Sequence, residues 1–281
     1  MKKVLFTGGT GFLGRNLLPV LRGIYDIYAP TRNELDLKQP ENIVALLKKR
    51  SFDVIIHAAI PNLLSSESDK KESLIGNSLL PFMTMHQYQE YFGKLIYFGS
   101  GAEYDKTSPI KMAKEEDIGI SIPSSEYGLA KFTMNSLARN SKNIYNLRIF
   151  GCYGRSDAYF KLITYAIQCC LKKESIIINQ DCIFDYMQVL DLIPVIDYCI
   201  NTPLEYHDYN VCTSIGMHIS DICRYIINEL DRDLEIIVKQ DGLDNEYTGS
   251  NSRLLRELPD LIFTDIKQGI KMQIKYETEK R

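Results

Sequence analysis

Four glycines fall within the eight residues TGGTGFLG, Thr7 to Gly14, directly after the apolar run KVLFT. The apolar positions beyond them recur at helical spacing, so the glycines occupy a turn from a buried strand into a helix. Two registers fit, Gly8/Gly11/Gly14 and Gly9/Gly11/Gly14. A glycine pattern says little by itself. In this position it allows a tight turn, close backbone approach to a pyrophosphate at a helix N-terminus, and contact between helix and strand.

The rest of the chain has to bury that strand on both faces. Apolar runs and helix-period segments alternate through the first half: YDIYAP, a helix from about Pro40, DVIIHAA, a long helix over 74–91, KLIYFGS, a helix from about Ser125, and IYNLRIF. Such strands require a parallel sheet covered on both sides, the α/β, Rossmann-type doubly wound class. The second half alternates less regularly. Residues 1–154, with about 176–202 returning to the sheet, are expected to form the dinucleotide-binding domain. About 155–175 and 203–281 are expected to form a smaller, mostly C-terminal substrate-binding lobe. With no low-complexity linker the two pack together, and ligands belong at the carboxyl ends of the strands.

The 281 residues are 45% hydrophobic and 25% charged, with a net charge of -3, which argues against a nucleic-acid partner. The glycines interrupt the first apolar run too early for a signal peptide, and no stretch is long enough to cross a bilayer. Seven cysteines, odd in number and without a CxxC pair, indicate reduced thiols and a cytoplasmic protein. The four histidines are scattered, so no metal is expected.

FDVIIHAA ends in a histidine and two alanines. At the carboxyl end of a sheet strand, His57, Ala58 and Ala59 would line the dinucleotide groove, with His57 as a lining residue or a satisfied core histidine rather than a catalyst. After the second strand the chain reads APTRNELDL. Arg32, assisted by Arg15, suits a ribose 2'-phosphate and favours NADP(H); Glu34 nearby keeps NAD(H) open.

YGLAK places Tyr127 and Lys131 on one helix face. With 18 Tyr and 21 Lys in the chain, about one YxxxK match is expected by chance, and a second exists, Tyr276 to Lys280. Position separates them: Tyr127 opens a helix just after KLIYFGS, whose end carries Ser100 on the edge that bears the glycine turn. A hydroxyl, a phenol and an ammonium beside a nicotinamide would make a carbonyl-reducing site, with Lys131 lowering the phenol's pKa from about 10.

TGGTGFLG, DVIIHAA, FGSGAEY, YGLAK and RIFGCYG, in that order, resemble the extended short-chain dehydrogenase/reductases, the NAD(P)-dependent sugar-nucleotide epimerase/dehydratase family. The likeness covers about residues 1–200 and is nearest the sugar-nucleotide 4-keto reductases, of the GDP-fucose synthase or CDP-abequose synthase type. It implies Ser100 as the hydroxyl on the substrate oxygen, Tyr127 as proton donor and Lys131 on the nicotinamide ribose. It also implies Gly8, Gly11, Phe12, Leu13 and Gly14 at the pyrophosphate, Asp36 and Leu37 at the adenine, and Asn77 and Phe150 near the cofactor. Asn77 on a helix face is equally an ordinary surface amide.

Two departures concern the substrate. Gly151 stands where the family's R-x-F-N-x-Y-G segment has asparagine, and Phe184 stands where its R-D-[FY] segment has an arginine for the diphosphate. Lys161 and Arg253 are candidate replacements. Gly101 and Ala102 stand where dehydratases carry an Asp-Glu pair, which removes the acid and base for elimination, and Glu103 is one residue late for the glutamate that decarboxylases expect at the alanine position. The expected activity is NADPH-dependent reduction of a nucleotide-linked 4-keto-6-deoxysugar. An NAD-dependent epimerase is the alternative, and a non-catalytic NADP-binding regulator, which would need none of the three groups, is the alternative of another class. A homodimer through the long helix is expected, with Leu79, Phe82, Met83 and His86 on its contact stripe.

Overall fold

The computed structural model describes residues 1–60 and 74–279, the side chains of 74–77 excepted. β1 (Lys3–Thr7) leads into α1 (Phe12–Leu21), β2 (Asp26–Tyr28) into α2 (Pro40–Lys49), and β3 (Phe52–His57) precedes α3 (Leu74–Gln87). β4 (Phe92–Ser100) ends in a single 3-10 turn, Gly101–Tyr104, followed by β5 (Ile110–Ala113), α4 (Glu126–Arg139), β6 (Ile144–Ile149) and β7 (Gly151–Tyr153). Then come α5 (Leu162–Lys172), β8 (Ile176–Asp181), β9 (Ile183–Gln188), α6 (Leu192–Asn201) and β10 (Asp208–Val211). β11 (Gly216–His218), α7 (Ile219–Glu229), β12 (Ile236–Leu243), β13 (Tyr247–Gly249), α8 (Ser252–Glu257) and α9 (Ile266–Glu279) complete the described chain.

Local chemistry explains the helix starts. Pro40 opens α2 with its fixed φ, Glu41 lies in the first turn and Lys48 and Lys49 in the last, matching the helix dipole. Ser125 caps α4 by accepting the Gly128 N–H at 3.1 Å.

Six strands form one parallel sheet in the order β10-β6-β4-β3-β1-β2. Alternate residues face opposite layers: Val4, Phe6, Val54 and Ile56 pack with the α1 and α6 side, while Leu5, Ile55, Leu95 and Tyr97 pack with α2, α3 and α4. Each such side chain, fully buried, contributes about 1.5–3 kcal/mol over an exposed one. The winding direction reverses between β1 and β3, which opens the crevice where such sheets bind ligands.

The lobe boundaries depart from expectation. β8 and β9 do not return to the large sheet: β8 pairs with β12, and β9 joins the order β11-β9-β13-β5, with β7 on its flank. In β8, Ile176 and Ile178 are buried but Ile177 is exposed, the pattern of a half-covered strand, whereas every residue of β10 is buried, as a strand covered on both faces requires. The sixth sheet strand therefore comes from a segment expected in the second lobe. β5 crosses the other way, from the first half into the second sheet. On α3, Phe82 is fully buried and Leu79 packs on the same core, so only Met83 of the expected contact stripe is fully outward, beside Leu80. No helix among the described residues is long and apolar enough to cross a membrane.

A buried polar network lies where β4, β6 and β10 meet. Arg148 donates to Glu103 Oε2 at 2.7 Å, to Asp208 Oδ2 at 2.9 Å and to Asn210 Oδ1 at 3.0 Å, with its side chain fully enclosed. Glu103→Leu should lower stability by about 3–5 kcal/mol in urea unfolding, because it leaves a buried guanidinium short of a partner. The double variant Glu103→Leu/Arg148→Met should recover most of that loss, since Asp208 keeps Arg139 and Arg253.

Candidate active site

Gly8 lies at φ +78°, and a Cβ there would come within 2.5 Å of Ala59 N and 2.6 Å of the Ala58 carbonyl carbon. The glycine turn thus rests directly on the backbone after β3. That close approach is what requires glycine at position 8. A Cβ at Gly14 would meet Gly9 O at 2.4 Å, which holds α1 close to the turn. Gly11, by contrast, would meet nothing nearer than Gly8 O at 3.3 Å, and α1 starts with neither a side-chain cap nor an acidic residue in its first turn. Free helix-end N–H groups beside an open glycine fit a pyrophosphate.

His57 is buried, and its Nδ1 lies 2.7 Å from the Thr7 hydroxyl, tying β3 to β1. Burial first and Lys131 second push its pKa down to about 3, so it is neutral. Phe12 and Leu13 pack against the core from the turn, and Arg15 is exposed on the first turn of α1. Arg32 is exposed after β2. Glu34 is turned from it, accepting the Thr31 N–H at 2.7 Å and the Thr31 hydroxyl at 2.8 Å. Asp36 accepts the Lys38 N–H at 3.0 Å, and Leu37 packs on the α2 and α3 side. Asn77 lies on α3, its side chain outside the described residues. Phe150 is buried beneath the Ser100 turn, its ring centroid 5.9 Å from that of Tyr104 and 5.2 Å from that of Tyr247, so the chain itself covers most of it.

Ser100 is held by the turn it begins. Its hydroxyl accepts the Ala102 N–H at 3.2 Å, and Glu103 Oε1 accepts the Ser100 N–H at 3.0 Å. Glu103 is therefore spent on this cap and on Arg148, away from the cleft. Gly128 would place a Cβ 2.6 Å from Ala102 O, so only glycine lets the start of α4 sit down on that turn. The result brings Tyr127 within hydrogen-bonding reach of Ser100. One helical turn on, the buried Lys131 donates to Phe98 O at 2.7 Å, its nitrogen 6.0 Å from the Tyr127 ring centroid.

The electrostatics differ from expectation. Burial raises the Tyr127 pKa, the Ser100 hydrogen bond lowers it in part, and Glu103 adds a further push upward. Lys131 does not supply the expected lowering, because its ammonium is turned to the Phe98 carbonyl. Burial brings Lys131 itself down to about 8 against the opposing charge of Glu103.

The second lobe adds Tyr247, which sequence reasoning missed. Its phenol reaches Ser100 and overhangs Gly101, where a Cβ would lie 2.5 Å from its oxygen. Phe184 stacks on Tyr186 and lies against Tyr247, each pair with centroids 4.7 Å apart. Any Cβ at Gly151 would meet Asp185 O at 2.3 Å and the Phe184 ring at 2.8 Å, so residues 151 and 184 are in direct packing contact. Lys161 is exposed at the start of α5. Arg253 is corrected: it is buried with Asp208 at 2.9 Å, Glu116 at 2.5 Å and Glu115 at 3.7 Å. Asp208 begins β10, and the site lies at the strands' other ends, so Arg253 is a structural anchor. Tyr276 lies on α9 in contact with Ser156 at 3.0 Å, and Lys280 is outside the described residues. No group of three or more His, Cys, Asp or Glu suited to a metal occurs among the described residues.

A glycine turn at the crevice of a parallel sheet, with Ser, Tyr and Lys gathered at the same edge, defines a dinucleotide-dependent enzyme of the short-chain dehydrogenase/reductase kind. The family model for the NAD dependent epimerase/dehydratase family matches residues 4–212, and the chain belongs to that family. It is 25% identical to a GDP-6-deoxy-D-talose 4-dehydrogenase of Aggregatibacter actinomycetemcomitans over 94% of both chains. Among solved structures it resembles a GDP-D-glycero-L-gluco-heptose synthase of Campylobacter jejuni determined with NADPH, at TM-score 0.84, 17% identity and coverage of 99% and 98%. A GDP-mannoheptose C4 reductase of the same organism with NADP bound gives 0.82, 17%, 99% and 98%.

His57 carries a stability consequence. Its folded pKa lies below the unfolded value of 6.5, so only the unfolded chain takes up the proton between these values. Stability should be complete above pH 6.5 and fall by a few kcal/mol as pH drops toward 3. His57→Gln should flatten that slope in urea unfolding measured between pH 7 and pH 4; an unchanged slope would remove His57 as its source.

Proposed function

We propose that the protein reduces the 4-keto group of a nucleotide-linked 6-deoxysugar, with NADPH as the bound cofactor. The observation that carries this reading is the convergence of Ser100 and Tyr127 at the end of β4, beside the glycine turn. The cofactor supplies hydride to C4. Ser100 hydrogen-bonds the substrate oxygen, Tyr127 gives it a proton, and Lys131 holds the ribose and the local positive charge. Gly8, Gly11 and Gly14 would cradle the pyrophosphate. Arg32 and Arg15, both exposed at the adenosine end, would meet a 2'-phosphate.

Elimination is disfavoured because Gly101 and Ala102 carry no acid or base, and Glu103 is locked onto Arg148. The names of the relatives support reaction at C4 and suggest a GDP-linked sugar, and NADP or NADPH accompanies the two structures cited. Assembly as a homodimer through α3 and α4 belongs to this reading, with Leu80 and Met83 exposed on α3. So does a cytoplasmic location, where the free cysteines remain thiols.

Incubation with NADPH and a panel of 4-keto sugar nucleotides should show net oxidation of NADPH. Interconversion of C4 epimers with retained NAD would instead assign an epimerase, and binding of NADPH without turnover of any sugar a regulator. Tyr127→Phe should lower kcat by about 100-fold or more while leaving the NADPH Kd within about twofold. Because burial holds Lys131 near 8, its charge is lost as pH rises through that value. NADPH affinity should weaken across pH 7 to 9 in the native protein and lose that step in Lys131→Met.

A further inference from the structure

We propose that Lys106, with the charge of Lys161 acting on it, binds the diphosphate of the nucleotide-linked substrate in place of the arginine that Phe184 displaces. The inference rests on the nucleotide-sugar reading and identifies where that substrate's charged end sits.

Lys106 is held in place by its backbone. Asp105, at φ 61°, accepts the Thr107 N–H at 3.2 Å, the Thr107 hydroxyl at 2.8 Å and the Ser121 hydroxyl at 2.7 Å, which closes the loop around it. From the other lobe, the Asn245 side chain donates to Lys106 O at 3.3 Å. The side chain then lies over the aromatic platform, its nitrogen 4.4 Å from the Tyr247 centroid and 5.9 Å from that of Phe184. Because the Tyr247 phenol reaches Ser100, the ammonium stands one aromatic ring away from the reacting end. A sugar ring spans a similar gap between its C4 and its anomeric phosphate.

The charge around Lys106 is uncompensated. Among the described residues no carboxylate forms an ion pair with it; Asp244 acts only from farther off. Burial and then the like charge of Lys161 both disfavour its protonated form. Lys106 and Lys161 act on each other beside aromatic faces, while Asp244 and Asp157 act on them only at a distance and without an ion pair, an arrangement that suits a ligand carrying two or more negative charges. A lysine meets such a group as a point charge where the displaced guanidinium would have met it bidentately.

The test is calorimetric titration of the full chain, preloaded with NADPH, with nucleoside diphosphates (GDP, CDP, UDP, dTDP) and the matching monophosphates. Lys106→Gln should weaken diphosphate binding about 10- to 100-fold and monophosphate binding by less than about threefold, with NADPH affinity unchanged. Lys106→Arg should restore it to within a few-fold. Equal diphosphate affinity in Lys106→Gln and the native chain would overturn the assignment, as would an equal loss for both ligand classes or a native chain that does not prefer diphosphates. Binding is read without turnover. A chain that holds diphosphates through Lys106 yet reduces no keto sugar would therefore sink the reductase reading and leave this one standing.

Discussion

The contact between Glu103 and Arg148 sets the geometry of everything around it. One oxygen of Glu103 caps the Ser100 turn, the other accepts from Arg148, and the guanidinium reaches on to Asp208 and Asn210 of β10. Three neighbouring strands are thereby fastened at the level where Ser100 emerges. The local crowding is severe: a Cβ at Gly99 would lie 2.3 Å from Glu103 and 2.1 Å from Asn146, so the strand must be glycine there. A carboxylate that sequence position alone might recommend for chemistry is thus buried, paired, and committed to holding Ser100 in place.

Across the cleft, aromatic packing has replaced charge. Phe184 stands where the resemblance puts an arginine, stacked on Tyr186 and tilted against Tyr247. The Asp185 carbonyl and the Phe184 and Tyr186 rings leave no room for a side chain at residue 151, and Tyr247 is pressed onto Gly101 and Ser100. The apolar platform and the Ser100 hydroxyl are in this way mechanically continuous. Positive charge at this side comes from a different segment, the loop after the 3-10 turn.

Much of this was legible because it is local. Strand runs, the proline that opens α2, the serine that caps α4 and the glycines before α1 act within a few residues, and the elements begin where those signals put them. Ser100, Tyr127 and Lys131 could be placed side by side from the sequence because strand end and helix start are neighbours in any parallel sheet of this kind. Tyr247 was not, since it arrives through the parallel pairing of β13 with β5 across more than a hundred residues. Arg253 misled for the same reason: Glu115, Glu116 and Asp208, which neutralise it, are distant in the chain. The β8 and β10 assignments were exchanged because two short apolar strands look alike until one knows how many faces are covered.

The placement of Tyr247 has a consequence for how the site is made. By the time a growing chain has emerged past β10 it contains all six strands of the large sheet and the glycine turn. The phenol beside Ser100, and the strand that borders β5, have not yet emerged. The order of translation therefore delivers the glycine turn and its sheet first and the Tyr247 wall of the candidate site afterwards, so a nascent chain exposes the former before the latter is in place beside it.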